Sequence, residues 1–235
     1  MPGARLNIIK TSEIPNPTYY VEALNGEYAN FALNEVRAEN FRGQWRAGVF
    51  LAPNKPLDLE IGTGNGFFFA HHAEQNPNRN LIGIEIKFKP LIQAIRRALR
   101  AGAVNARIVR YDAGLIENLF QPGEIDNVYI HHPDPWNKRR RQKRRLLNQH
   151  FLSKLHSLQT RGSFLDFKTD SQDYFHWVVG EIEKSQYKVV RRAEDLHSSP
   201  WQVENFVTHF ERIYMEKGQP IYYLRALRSD ESLFT

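Results

Sequence analysis

LDLEIGTGNG, residues 57–66, is the stretch on which the fold turns. It opens as a short apolar strand with an acid, Glu60, near its end. It closes on three glycines at alternate positions, Gly62, Gly64 and Gly66. Residues 67–75 then read as a helix, so the unit is strand, glycine turn, helix. Glycine lets a backbone turn tightly and approach a ligand with no Cβ in the way. The spacing is G-x-G-x-G, which differs from the G-x-G-x-x-G of dinucleotide folds. No G-K-[ST] of a phosphate-cradling loop follows it.

The rhythm repeats outward from this unit. Residues 80–85, NLIGIE, form a second strand ending in Glu85, and 88–101 a basic amphipathic helix. An acid at a second strand tip accepts both ribose hydroxyls in nucleoside sites; near a helix start it also suits the helix dipole. The separation from the glycines, about 20 residues, favours the ribose role. Residues 106–110 are a third strand, followed by Asp112, which suits either an adenine amine or a helix N-cap. Strands follow at 125–131, 162–168 and 187–192, with helices at 146–158 and 171–184. In 206–228 a Gly-Gln-Pro turn precedes a last, aromatic strand. Alternating strands and helices predict an α/β fold with an open, doubly wound sheet. Ligands of such sheets sit outside the carboxyl ends of the strands. Glu60, Glu85, Asp112, Asp134 and Asp170 all fall there. E-x-G-x-G-x-G closing a first strand is the pattern of S-adenosylmethionine sites, with a purely structural turn as the alternative.

A second stretch gives the charge. The whole chain carries +6, and the block Lys138–Arg145 alone contributes +7, so the remainder is close to neutral. A local cationic block suits a phosphate backbone, where each neutralised phosphate releases a condensed counterion. It follows a strand and a rigid Pro-Asp-Pro-Trp turn and runs into an apolar helix, which argues against a merely solvated arm. There are no cysteines, excluding disulfides and thiolate chemistry. No apolar run approaches the roughly 20 residues that span a bilayer. The start of the chain shows no apolar leader, so a cytoplasmic protein is expected. Residues 1–20 are Pro-rich and read as a loose arm. The aromatics of residues 27–50 fall at helical spacing and suit core packing better than RNA stacking. The expected division is an arm with covering helices over 1–50 and one domain over 51–235. The paired histidines His71-His72 and His131-His132 are adjacent, so their side chains diverge and no metal site is expected.

LDLEIGTGNG, GIE, YDA, HPDPWNKRRRQKRRL, KTD and THFE occur in the order seen in bacterial tRNA (guanine-N7)-methyltransferases, and the chain resembles that family over roughly residues 55–225. The resemblance implies a Rossmann-like class I methyltransferase domain with a mostly parallel, seven-stranded sheet and helices on both faces. It implies methyl transfer from S-adenosylmethionine to N7 of a guanine in the tRNA variable loop. Glu60, Glu85, Asp112 and Asp134, with Gly62, Gly64 and Gly66, would hold the cofactor, Asp134 being the active-site carboxylate. Lys138, Asp170, Thr208, His209, Phe210 and Glu211 would bind the target nucleotide. Arg140, Arg141, Lys143, Arg144 and Arg145 would contact tRNA. The implied partner is tRNA, with no membrane and no metal, and the protein a monomer or homodimer. The family usually has apolar or aromatic residues where this chain has His131 and His132.

Guanine N7 offers an in-plane lone pair and no proton, so the reaction needs alignment more than a strong base. The methylated base is cationic, and a carboxylate beside it stabilises that charge as it develops. Asp134 is placed for this between two prolines that restrict its backbone. Trp136 suits either stacking on the base or packing within the turn. Methyltransferases acting on exocyclic amines are the main alternative; they usually carry two adjacent prolines before the aromatic, whereas Trp136 follows Pro135 directly.

Overall fold

The structure, a computed structural model, describes residues 18–229. The N-terminal arm expected over 1–20 lies almost wholly outside the described residues. Strand β2 (Leu57–Ile61) sits at the centre, and all five of its residues are buried. Both of its faces carry helices, which is why its sequence does not alternate with polar residues on one side. On one flank lie β3 (Asn80–Ile84), β4 (Ala106–Val109) and β1 (Ala32–Leu33); on the other lie β5 (Val128–His131), β6 (Phe164–Thr169), β8 (Tyr222–Arg228) and β7 (Tyr187–Ala193). All neighbours pair parallel except β8, which runs antiparallel to both β6 and β7.

The sheet thus has eight strands rather than the expected seven. The extra strand, β1, lies within the stretch whose aromatic spacing suggested helices alone. Only two residues long, it has no legible period, and it forms because Ala32 and Leu33 pair with Ile108 and Val109 along the edge of β4. The aromatics nearby are core residues. Trp45 is fully buried, and its Nε1–H donates to the Leu119 carbonyl at 2.7 Å.

Helices α3 (Phe67–Gln75) and α4 (Phe88–Arg100) cover one face with α1 (Thr18–Asn25); α5 (Gln149–Leu158) and α6 (Gln172–Glu183) cover the other. The pleat of β3 shows the division: Leu81 joins the core with α3 and α4, and Ile82 and Ile84 join the core with α5 and α6. Short α2 (Glu35–Glu39) is capped by Asn34, and α7 (His209–Glu216) precedes β8. Among the described residues no helix is long and apolar enough to cross a membrane. The parallel strands all end at one rim, and that rim carries the site.

Candidate active site

One side of the site is built by β2, β3 and β4. Past Ile61 the backbone passes through Gly62 (φ 79°), Gly64 (φ 53°) and Gly66 (φ 76°), all in the left-handed region. A Cβ on Gly62 or Gly64 would meet nothing within 4 Å, so both open towards the cleft. A Cβ on Gly66 would lie 2.4 Å from Cα of Ala94 in α4. Gly66 does not line the cleft. It is the left-handed N-cap of α3, and its want of a side chain lets α3 and α4 meet. The packing role of Gly66 stands beside the cofactor role that the resemblance implies for it.

Glu85 braces this turn: one carboxylate oxygen accepts from the Gly64 N–H at 2.9 Å and the other from the Lys87 N–H at 2.8 Å. Glu60 is 2% exposed, and its Oε2 has no hydrogen-bond partner. Burial pushes its carboxyl up to about 8, against the opposing charge of Lys168. Oγ1 of Thr63 is likewise buried without a hydrogen bond. Asp112 fills the N-cap role left open by its sequence, accepting from the Gly114 N–H at 2.9 Å, and it borders the cleft as well.

A cleft of about 440 Å³ runs along the rim, with Glu60, Glu85, Asp112, Asp134, Thr208 and Phe210 in its walls. Positions spread over some 150 residues of chain meet there because each closes a parallel strand or the loop after one.

The other side begins where β5 ends. His132 (φ 49°) and Trp136 (φ 47°) are both left-handed and bracket Pro133-Asp134-Pro135. Such strain in non-glycine residues persists only where the surroundings over-determine it. Part of that support is Arg145. Its Nε–H donates to the Pro135 carbonyl at 3.0 Å, and its guanidinium pairs with Asp173 and packs 5.1 Å from the Tyr174 ring and 5.2 Å from the Trp177 ring. Arg145 is 1% exposed. It buttresses the turn from beneath and offers no surface to RNA, a correction to its expected role. The rest of the block behaves as its charge suggests. Residues 139–144 form a 3-10 turn with no buried residue. Arg141 and Arg144 lie 6.0 and 5.2 Å from the half-buried Trp136 ring, and Arg144 and Trp136 both border the cleft. Lys138 is exposed and stands outside the cleft wall.

The last wall comes from Thr208 and Phe210 at the start of α7, braced from behind by the tip of β6. Lys168 and Glu211 form a buried ion pair. Lys168 also donates to Asn205 Oδ1 at 2.9 Å, and the second Glu211 oxygen accepts from Asn205 Nδ2 at 2.8 Å. Burial would raise the Glu211 carboxyl, but His132 and Lys168 hold it well below the usual carboxylate range. Thr208 caps α7, its Oγ1 accepting from the Glu211 N–H at 3.2 Å. The T-x-x-E motif is therefore one half of a capping box. Thr208 and Phe210 reach the cleft, and Glu211 stands behind them with no exposed surface. The His209 side chain lies outside the described residues. Asp170 accepts from His132 Nδ1 at 3.3 Å and is not in the cleft wall. Lys168 was missed at the level of sequence. Its signal is a lysine inside the apolar strand FLDFKT, since a charge buried in a sheet must be paired.

Comparison with known proteins places the chain among methyltransferases. A family model described as "Putative methyltransferase" matches residues 54–224. The tRNA (guanine-N(7)-)-methyltransferase of Bdellovibrio bacteriovorus is 50% identical over 86% of this chain and 98% of its own. That of Bacillus subtilis is 34% identical over 78% of this chain and 84% of its own. Among solved structures, the 16S rRNA methyltransferase KamB superposes with a TM-score of 0.56 at 16% identity, over 83% of this chain and 94% of its own. The 16S rRNA (adenine(1408)-N(1))-methyltransferase of Catenulisporales acidiphilia gives 0.53 at 16% identity, over 84% and 90%; likeness at this level speaks for the fold alone. With a family model spanning most of the domain and relatives matched nearly end to end, the chain belongs to the tRNA (guanine-N7)-methyltransferase family.

Proposed function

We infer that this protein methylates N7 of a guanine in tRNA with S-adenosylmethionine as the donor. The observation that carries the reading is the meeting of Glu60, Glu85, Asp112 and Asp134 around one cleft bordered by Arg144 of an exposed basic turn. The cleft fits the donor on its own features. Gly62 and Gly64 leave the turn open to close approach, and the Glu60 oxygen without a partner suits a ligand bearing positive charge. Glu85 and Asp112 would take the ribose hydroxyls and the adenine amine, the roles their strand-tip positions suit.

S-adenosylmethionine supplies a sulfonium methyl group already activated for transfer. The remaining work falls to the chain. Asp134, exposed at the mouth of the cleft, accepts from the Watson–Crick edge of the guanine and leaves N7 free to face inward. Its carboxylate also offsets the positive charge that the base acquires. No general base is needed, because no proton leaves N7. Trp136 and Arg144 offer an aromatic face and a cation for the neighbouring nucleotides. Arg139, Arg140, Arg141 and Lys143 meet the phosphate backbone.

The test is incubation of the purified protein with labelled S-adenosylmethionine and unmodified tRNA, followed by strand cleavage at N7-methylated guanine. Label at a single cleavable guanine is expected. Label on an exocyclic amine, resistant to that cleavage, would replace the reading.

A further inference from the structure

The two histidines that close β5 are used differently. His131 packs edge-on against Phe68, ring centroids 4.4 Å apart. His132 is held by ionised neighbours. Its Nδ1 lies 3.3 Å from Asp170 Oδ1, and its Nε2 lies 3.9 Å from Glu211 Oε1, beyond hydrogen-bond length but within ion-pair range. The ring lies at 20° to the Tyr214 ring with centroids 6.1 Å apart, and 6.3 Å from Phe210. Its backbone N–H donates to the Lys168 carbonyl at 2.8 Å. The side chain is 7% exposed, and Nε2 is buried from solvent. Nδ1 is engaged and Nε2 faces inward, so neither ring nitrogen is presented to a bound base. The residue borders the cleft but offers it no free ring nitrogen, so its hydrogen bonds act on the groups the ring holds.

His132 stands two residues before Asp134, at the left-handed start of the turn that carries it. Pro133 follows His132 directly, and its ring fixes the next φ. The left-handed backbone at His132 therefore sets the direction in which the turn leaves the sheet. We propose that His132 is a positioning residue: its ring, clasped between Asp170 of the β6 tip and Glu211 of α7, fixes the start of the turn and so the direction in which Asp134 faces the guanine. The inference rests on the reading of Asp134 given above.

The clasp depends on charge. Glu211 also faces Lys168 and has His197 Nε2 at 3.6 Å, and Asp170 also bonds Tyr214. A cationic His132 balances the remaining negative charge. Burial alone would lower the His132 imidazole, but the Asp170 hydrogen bond and the Glu211 carboxylate raise it above its ordinary value, even with Lys168 and neutral His131 beside it. A raised histidine gives its full contribution below the ordinary value of about 6.5 and loses it as pH climbs through the raised one.

The test compares pH profiles of kcat for the full chain and for His132→Asn. Asparagine tolerates the left-handed backbone and keeps a donor but carries no charge. The natural protein is expected to lose kcat on the alkaline side, and the variant to lose about five- to tenfold in kcat near neutral pH, with cofactor Kd and tRNA KM unchanged, and to lack that alkaline fall. A variant with natural kcat, or one that retains the alkaline fall, overturns the proposal. Imidazole NMR of the natural protein, with His132 assigned through its contacts to Tyr214 and Phe210, stands even where the variant does not fold. A ring titrating above the ordinary range supports the clasp, and one titrating at or below it overturns it. Asp134→Ala separates the two levels: if it leaves turnover intact, the reading of the site fails. If it abolishes turnover while His132→Asn behaves naturally, only the clasp fails.

Discussion

The two walls of the cleft are built by different physics. The donor wall is local: Glu85 reaches the Gly64 N–H across 21 residues, within adjoining strand-helix units, and its bonds run from backbone to carboxylate. The acceptor wall is assembled at a distance. His132 meets Asp170 across 38 residues, and Lys168 meets Glu211 across 43, through charged side chains. Bonds from backbone N–H groups to one carboxylate hold the first wall. Charged side chains drawn from separate elements hold the second, so the protonation of His132 bears on it directly.

The largest effect expected from breaking this comparison is on turnover. Asp134→Ala should lower kcat by on the order of 10²–10³-fold, the scale of removing a preorganised electrostatic partner. Cofactor affinity, measured by calorimetry, should stay as it was, because the donor wall is untouched. Gly66→Ala strikes the donor wall through its packing. It forces a side chain against Ala94 at a left-handed position and should cost about 3 kcal/mol in chemical denaturation. Gly64→Ala, with open space around it, should cost only about 1 kcal/mol and instead weaken the cofactor. Equal costs at the two glycines would remove the distinction drawn between them.

Arg145→Ala should destabilise by about 2 kcal/mol through lost packing and the lost bond to Pro135. Its partner Asp173 is 64% exposed, so no buried charge is stranded. Replacing Arg139, Arg140 and Lys143 together should leave stability nearly unchanged and reduce the slope of log affinity against log salt by about 2. A normal slope in the triple variant would count the block as solvated surface.

The smallest effect concerns Glu60. Its folded carboxyl is raised to about 8, so the ligand-free protein should lose stability as pH climbs from the ordinary carboxyl value towards 8. Glu60→Gln should flatten that slope in thermal melts between pH 5 and 9 and should weaken cofactor binding. A slope that survives the substitution would place the titrating group elsewhere.

Legibility followed the same division. The glycine turn, the three strand-tip acids of the donor wall and the helices after them were readable because each is a local pattern with its own period. Lys168 was not, since a single lysine in an apolar strand shows its role only when Glu211 arrives from the far side of a long connection. Arg145 stood within a run of identical charges, and only packing against Tyr174 and Trp177 separates it from its neighbours. The T-x-x-E motif was legible as a motif, but its division of labour, with Thr208 at the cleft and Glu211 behind it, depends on the side from which α7 approaches the sheet.

Order along the chain was enough to establish a parallel sheet with acids at one rim, because strand periodicity and glycine chemistry act over a few residues. Which charges border the cleft and which brace its wall depended on the tertiary structure. That outcome depends on burial, and burial is a property of all the elements packed together.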